Sequence, residues 1–206
     1  MRYVPLMGIN EALEQLEEIH SRVHRSEVYR GYRSILTAAM GLVALAGAYL
    51  QPQFVEPGRP LSFVHYWVIV AGINFLLPLS QILFHYAVYE SPLERQKTRL
   101  AVGQFLPCLL AGVFLTFAVC KTSEAFIVFL PGLWSILFAM GVYASKPYLP
   151  GAIHWMAASF FMGGVVLLAL VPSGNSLSPW GIGLDFGLGL LAGAWILYFN
   201  LERKKQ

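Results

Sequence analysis

Long apolar runs alternate with short polar connections along most of this chain. Six runs reach the length of about 17–25 residues that an α-helix needs to cross a bilayer. They cover residues 34–50, 63–88, 100–120, 125–144, 151–171 and 181–201. Because lipid offers no partners for peptide groups, each run must satisfy its own backbone by forming a helix. The pattern predicts an all-α fold with a six-transmembrane-helix bundle over residues 34–201.

Two details of the runs refine this prediction. The second run is longer than a bilayer requires and carries Pro78 near its middle, which predicts a kinked or tilted helix. The connection 121–124 has only four residues, so the third and fourth runs are expected to form a tight antiparallel hairpin.

The first 33 residues have a different pattern. Apolar positions recur there at spacings of three and four, which is typical of one face of a helix. Glutamates fill the first half of this helix and arginines the second, as the helix dipole favours. Residues 1–33 are therefore predicted to form an N-terminal cytoplasmic amphipathic helix. It either lies on the inner membrane surface or binds a cytoplasmic protein through residues 9–30; the stripe is short for a coiled coil.

The composition agrees with a lipid environment. Only 12% of the residues are charged and 57% are hydrophobic, whereas soluble domains carry about a quarter charged residues. A soluble chain of this size would lack the charges to cover its surface. The lipid bilayer is therefore the first partner that the sequence predicts.

The basic residues predict the orientation in the membrane. Twelve Lys and Arg residues lie before the first run, in the second and fourth connections, and in the basic tail 202–206, whereas only Arg59 and Lys121 lie on the opposite side. Cytoplasmic loops carry such an excess of Lys and Arg. The chain is therefore predicted to be a multi-pass protein of the cell membrane with both termini in the cytoplasm, which agrees with an even number of spans.

Polar side chains inside apolar runs are costly and therefore informative. Asn74, Gln81 and His85 share one face of the second helix, because they are seven and four residues apart, or about two turns and one turn. Gln104 in the third run and His154 in the fifth are expected at a similar cytoplasmic depth. These five groups are either a path for a substrate, ion or proton, or interhelical hydrogen bonds that hold the bundle together.

The sixth run holds two further features. Asp185 is the only acidic residue within the six apolar runs. It is either a candidate ion or proton site or an interfacial group near the outer surface. The pairs Gly183/Gly187 and Gly189/Gly193 have the small-xxx-small spacing that lets helix backbones approach closely. They predict helix packing within the bundle or between two copies in a homo-oligomer.

Other chemistry finds little support in the sequence. No Gly-x-Ser-x-Gly motif and no pair of intramembrane carboxylates is present, so no catalytic residue is predicted and the chain is not expected to be an enzyme. His20 and His24 have the spacing of a metal-ligand pair but lack the metalloprotease glutamate, and a haem between His85 and His154 is disfavoured. No metal, cofactor or nucleic acid is therefore expected; the basic residues flank spans, where anionic lipid explains them.

Both ends of the chain carry segments with a family resemblance. These are residues 16–27, LEEIHSRVHRSE, which lead into Tyr32, and residues 183–189, GLDFGLG, with the closing YFNLER of residues 198–203. They resemble small bacterial polytopic membrane proteins of unassigned function. The resemblance implies a bacterial inner membrane and assigns no activity or functional residue.

Two functions follow as hypotheses. The first is a non-enzymatic sensor or accessory subunit that binds its partner through the N-terminal helix. The second is a small transporter or channel whose polar path runs along the second transmembrane helix, past Asn74, Gln81, His85 and Gln104.

Overall fold

A computed structural model describes residues 34–56, 58–88, 92–148, 151–175 and 177–199. For residues 82, 84–88 and 92–98 it describes the backbone without the side chains. Within these ranges the protein is all-helical and contains no strand. The predicted amphipathic helix 1–33 and the basic tail 202–206 lie outside the described residues.

The described part of the chain forms six α-helices, joined in places by short 3-10 turns. They are α1 (Ser34–Phe54), α2 (Pro60–Val88), α3 (Pro92–Thr122), α4 (Leu130–Ala144), α5 (Ile153–Ala169) and α6 (Pro179–Leu197). The 3-10 turns are Glu124–Phe129, Lys146–Tyr148 and Val171–Ser173.

Among the described residues, five helical stretches are long and apolar enough to cross a membrane. They are Ser34–Phe54, Pro60–Gln81, Arg99–Thr122, Glu124–Ala144 and Pro179–Leu197. Helix α5 is apolar but has only 17 residues, or about 26 Å at 1.5 Å per residue. The hydrocarbon core of a bilayer is about 30 Å thick. The described residues thus include several helical stretches with the length and composition of membrane spans, and α5 is shorter than each of these five stretches.

The ends of the helices differ in places from the predicted runs. Helix α3 begins at Pro92, inside the predicted connection, since proline fits the first turn of a helix where its missing N–H is not needed. The fourth run opens with a 3-10 turn, and the Ser123 hydroxyl accepts a hydrogen bond from the Ala125 N–H at 3.3 Å. Helix α2 continues through Pro78 without an interruption.

Spatial order differs from chain order. Helix α1 makes its most extensive contact with α6, and α4 makes its most extensive contact with α5. Smaller contacts join α1 to α2, α3 to α4 and α5 to α6, whereas α2 and α3 scarcely touch. The first and last described helices are therefore neighbours, and α6 lies between α1 and α5.

The interior has two apolar clusters. One is built around Met156, Phe160 and Leu190, and the other around Phe63, Trp67 and Ile182. Phe160 and Phe63 are almost completely buried. Many large apolar residues lie on the outside instead, as on the exposed faces of α3. Such an outer surface suits lipid and would be costly in water.

Candidate functional site

A buried polar contact inside the bundle joins three helices. Ser135 of α4 is fully buried, and its Oγ lies 2.5 Å from Oδ2 of Asp185 on α6. The same Oγ lies 2.7 Å from the backbone carbonyl oxygen of Phe160 on α5. Asp185 is six residues into α6, about 9 Å along the helix axis. We call Ser135, Phe160, Gly163 and Asp185 the carboxyl junction.

Gly163 gives the carboxyl group its place in the junction. A Cβ atom at this position of α5 would overlap Oδ1 of Asp185. The carboxyl group therefore lies directly against the α5 backbone, in space that only a glycine leaves open. The junction depends on this glycine as much as on the two polar side chains.

Three aromatic rings from the helices of the junction pack against one another. Phe138 of α4, Phe160 of α5 and Phe186 of α6 have ring centroids 4.8–5.5 Å apart. Each ring is within one helical turn of a junction residue in sequence. Aromatic pairs of this kind stabilise the contact among the three helices that carry the junction.

The first pair of predicted packing glycines lies against α1. A Cβ atom at Gly187 would lie 2.5 Å from Cγ of Leu45, and one at Gly183 would overlap the Cβ atom of Ala48. Gly41 of α1 makes the same kind of close contact from the other helix, because a Cβ atom added there would lie 2.9 Å from the carbonyl oxygen of Gly187. The α1 and α6 backbones approach closely along this line.

The second pair of glycines lies against α5. A Cβ atom at Gly189 would lie 2.6 Å from Cζ of Phe160, and Gly193 is in similarly tight contact with the Met156 side chain. The two pairs thus occupy different faces of α6, one toward each neighbouring helix.

The residues of the predicted polar cluster are not joined by hydrogen bonds in the described part of the chain. Asn74 is half-buried, and its Oδ1 atom is buried without a hydrogen-bond partner. Gln81 is half-buried, and Gln104 on α3 is exposed. Their convergence on one cavity stays a prediction.

The two histidines of that cluster are described unequally. The Nδ1 atom of His154 lies 2.5 Å from the carbonyl oxygen of Gly151, in the turn that precedes α5. This contact is local and ties the imidazole to its own helix start. The His85 side chain lies outside the described residues.

A second polar network, which the sequence did not indicate, links α1 to α2. Gln51 is buried in the last turn of α1, and its Oε1 accepts a hydrogen bond from the Trp67 indole at 2.7 Å. Its Nε2 donates to the Leu177 carbonyl oxygen at 3.4 Å. The apolar run of the sequence ends at Leu50, which puts Gln51 in the polar connection that follows. A buried tryptophan, whose indole N–H needs an acceptor, was the signal that could have found it.

A surface pocket of about 560 Å³ lies at the start of α2. Its lining residues are Phe54, Ser62, His65, Tyr66 and Ile69. Two of these residues, Phe54 and Tyr66, stack their rings against each other, with centroids 6.2 Å apart. In the described ranges no group of three His, Cys, Asp or Glu residues could hold a metal ion.

No family model, curated protein or solved structure matches this chain. Its function must therefore be argued from its own residues, and the carboxyl junction is the candidate site with the most specific geometry.

Proposed function

We propose that this chain is a non-enzymatic membrane component, a sensor or accessory subunit, that crosses the bilayer six times. In this arrangement α5 also crosses the bilayer, in addition to the five longer stretches, because its 17 apolar residues reach the lower end of the spanning range. An even number of spans puts both termini on the same side of the membrane. The excess of basic residues on that side favours the cytoplasm. The resemblance at the chain ends favours a bacterial inner membrane.

The observation that carries this proposal is the carboxyl junction. The Ser135 hydroxyl and the Asp185 carboxyl bond to each other and to a backbone carbonyl group, whereas a transport path needs polar groups that face water or a ligand. Close glycine contacts pack α6 against α1 and α5. A tightly packed bundle whose buried polar side chains bond to one another suits a protein that responds and signals better than one that conducts.

The packing also gives a route from the cytoplasmic segment to the junction. Residues 1–33 lead directly into α1, and α1 has its largest contact with α6, which carries Asp185. A protein bound to the proposed amphipathic helix would therefore act on the helix next to the junction. This arrangement favours residues 9–30 as the partner-binding segment.

The partner-binding part is tested by in-cell crosslinking and pull-down of the full chain. Deleting residues 1–28 should abolish capture of a specific partner, whereas deleting the tail 202–206 serves as the matched control and should leave capture unchanged. Capture that survives the first deletion, or no partner with the full chain, would contradict the proposal.

The topology is tested separately by reporter fusions. Fusions at both termini should report the cytoplasm, and one inserted at Ser123, between α3 and α4, should report the opposite side. Termini in opposite compartments would exclude six spans.

One observation favours the alternative, a small transporter with a polar path along α2. Oδ1 of Asn74 is buried without a partner among the described residues, as expected of a group that awaits a ligand. Gln81→Leu and His85→Leu should then reduce flux of the transported solute in proteoliposomes, with Ser80→Ala, whose hydroxyl bonds the Leu77 carbonyl oxygen of its own helix, as control. Unaltered flux in both leucine variants would exclude this path.

A further inference from the structure

The hydrogen count at the carboxyl junction constrains the protonation state of Asp185. The Ser135 Oγ atom lies within hydrogen-bond distance of two oxygens, Oδ2 of Asp185 at 2.5 Å and the Phe160 carbonyl oxygen at 2.7 Å. A serine hydroxyl has one hydrogen, and a backbone carbonyl oxygen can only accept. The Ser135 hydrogen can therefore serve one of these two contacts.

An ionised carboxylate would leave the second contact without a hydrogen, because it too can only accept. Two oxygens would then face each other with lone pairs at hydrogen-bond distance. A protonated carboxyl group removes the conflict. Its O–H donates to the Ser135 Oγ atom, and the Ser135 O–H donates to the Phe160 carbonyl oxygen, so that each contact has its own hydrogen.

In the described part of the chain, no charged side chain forms an ion pair with the Asp185 carboxyl group. The Ser135 hydroxyl lies within hydrogen-bond distance of this half-buried carboxyl group. On the helices packed around it, the other titratable side chains are Tyr143 of α4, His154 of α5 and Tyr49 of α1.

None of these three groups is placed to neutralise a charge on Asp185. Tyr143 and His154 are eight and nine residues from Ser135 and Gly163 on their helices, or about 12–13 Å along the axis. Tyr49 is 69% exposed and lies on the outside of α1. An uncompensated charge in an apolar interior is costly.

We propose that Asp185 is a proton-binding site of the bundle, whose ligand is a proton held between α4, α5 and α6. The bound proton completes the chain of hydrogen bonds from Asp185 through Ser135 to Phe160. Loss of the proton leaves a negative charge against the Gly163 backbone, and this charge favours separation of α6 from α4 and α5. The proposal gives the sensor an input, but it stands on the junction alone and does not depend on any partner of residues 9–30.

The sequence offers a direct way to test this site. Asp185 is the sole aspartate of the chain, so aspartate labelled with carbon-13 at its side-chain carboxyl group reports on this position alone. The full chain is produced by cell-free synthesis with the labelled amino acid and reconstituted in lipid bilayers. Infrared spectroscopy and solid-state NMR then show directly whether the labelled group is an acid or a carboxylate at neutral pH.

The expected result is a labelled carboxylic acid that becomes a carboxylate when the pH is raised. In Ser135→Ala the labelled acid band should move to higher frequency, because the carboxyl group loses its hydrogen-bond partner. Ser80→Ala, with its hydroxyl bonded inside α2, should leave the band in place. A labelled carboxylate at neutral pH in the folded wild-type chain would overturn the proposal, and so would an acid band that Ser135→Ala does not move.

Discussion

The Ser135 hydroxyl lies 2.5 Å from the Asp185 carboxyl group, although the two residues are fifty positions apart in the chain. Helices α4 and α6 have little other contact, because α5 packs against both of them. The contact therefore ties together two helices that are otherwise joined mainly through a third. Loss of this contact should therefore lower the free energy of unfolding of the whole bundle.

Ser135→Ala tests this role. The substitution leaves the Asp185 carboxyl group and the Phe160 carbonyl oxygen without their shared partner, and we expect a loss of about 1–2 kcal/mol in the free energy of unfolding, the range for interhelical hydrogen bonds in membranes. Thermal or denaturant unfolding in detergent measures it. Ser80→Ala is the matched control, since its hydroxyl bonds only within α2; equal losses in both variants would contradict the special role of Ser135.

Gly163→Ala should disturb the same junction by volume. The added Cβ atom would overlap the Asp185 carboxyl group, and overpacking of this kind costs about 1–3 kcal/mol. Asp185→Ala removes the obstructing group, so the alanine at position 163 should cost much less in the double variant. A double-mutant cycle of unfolding free energies measures this coupling. If the changes in unfolding free energy of the two single variants simply add up in the double variant, Gly163 and Asp185 are not in contact.

The contact of α1 with α6 predicts a contrast between glycines. Gly187→Ala places a Cβ atom 2.5 Å from Cγ of Leu45, whereas Gly72→Ala and Gly103→Ala enter open space. The first should destabilise the bundle, and the other two should be neutral or stabilising by up to about 1 kcal/mol, because alanine favours helix more than glycine does. Unfolding midpoints of the three variants decide this; a Gly187→Ala protein as stable as the two controls would contradict the packing.

These cases show which features the sequence can predict. Apolar runs report the solvent, so helices near residues 34–54 and 179–197 follow from composition and length alone. The spacing of Gly183 and Gly187 suggested close packing, but spacing cannot say that the partner is α1, from the other end of the described chain. That pairing depends on how the surfaces of distant helices fit.

The junction shows the same limit more sharply. Asp185 was singled out because a carboxyl group in an apolar run is unusual. Ser135 carries no such signal, since a serine in a membrane helix can bond to its own backbone. Their relationship arises from the packing of α4, α5 and α6, and the hydrogen count that constrains the carboxyl group exists only once all three helices are in place.

The network of Gln51 yields a prediction outside the junction. Gln51→Leu removes the acceptor of the buried Trp67 indole, which lies 2.7 Å from Oε1. An unsatisfied buried donor costs about 1–3 kcal/mol, and the emission of Trp67 should change with its environment. Gln53→Leu is the control, because Gln53 is exposed in the same helical turn. If both variants unfold like the wild type, the indole has another acceptor and the network is wrong.

Proton release from Asp185 should loosen α6, and this consequence can be measured apart from the protonation itself. As the pH rises and the carboxyl group ionises, the charge beside Gly163 favours the opening of the contacts between α6 and α5, so amide hydrogen exchange in α6 should increase beyond the intrinsic rise with pH. Helix α3, on the far side of α4, provides the internal reference. In Asp185→Asn the side-chain amide donates to the Ser135 Oγ atom at every pH, so the additional exchange should disappear. If wild type and Asp185→Asn show the same exchange in α6 across the titration, the proton does not control this contact, because the only difference between them is the group that can ionise.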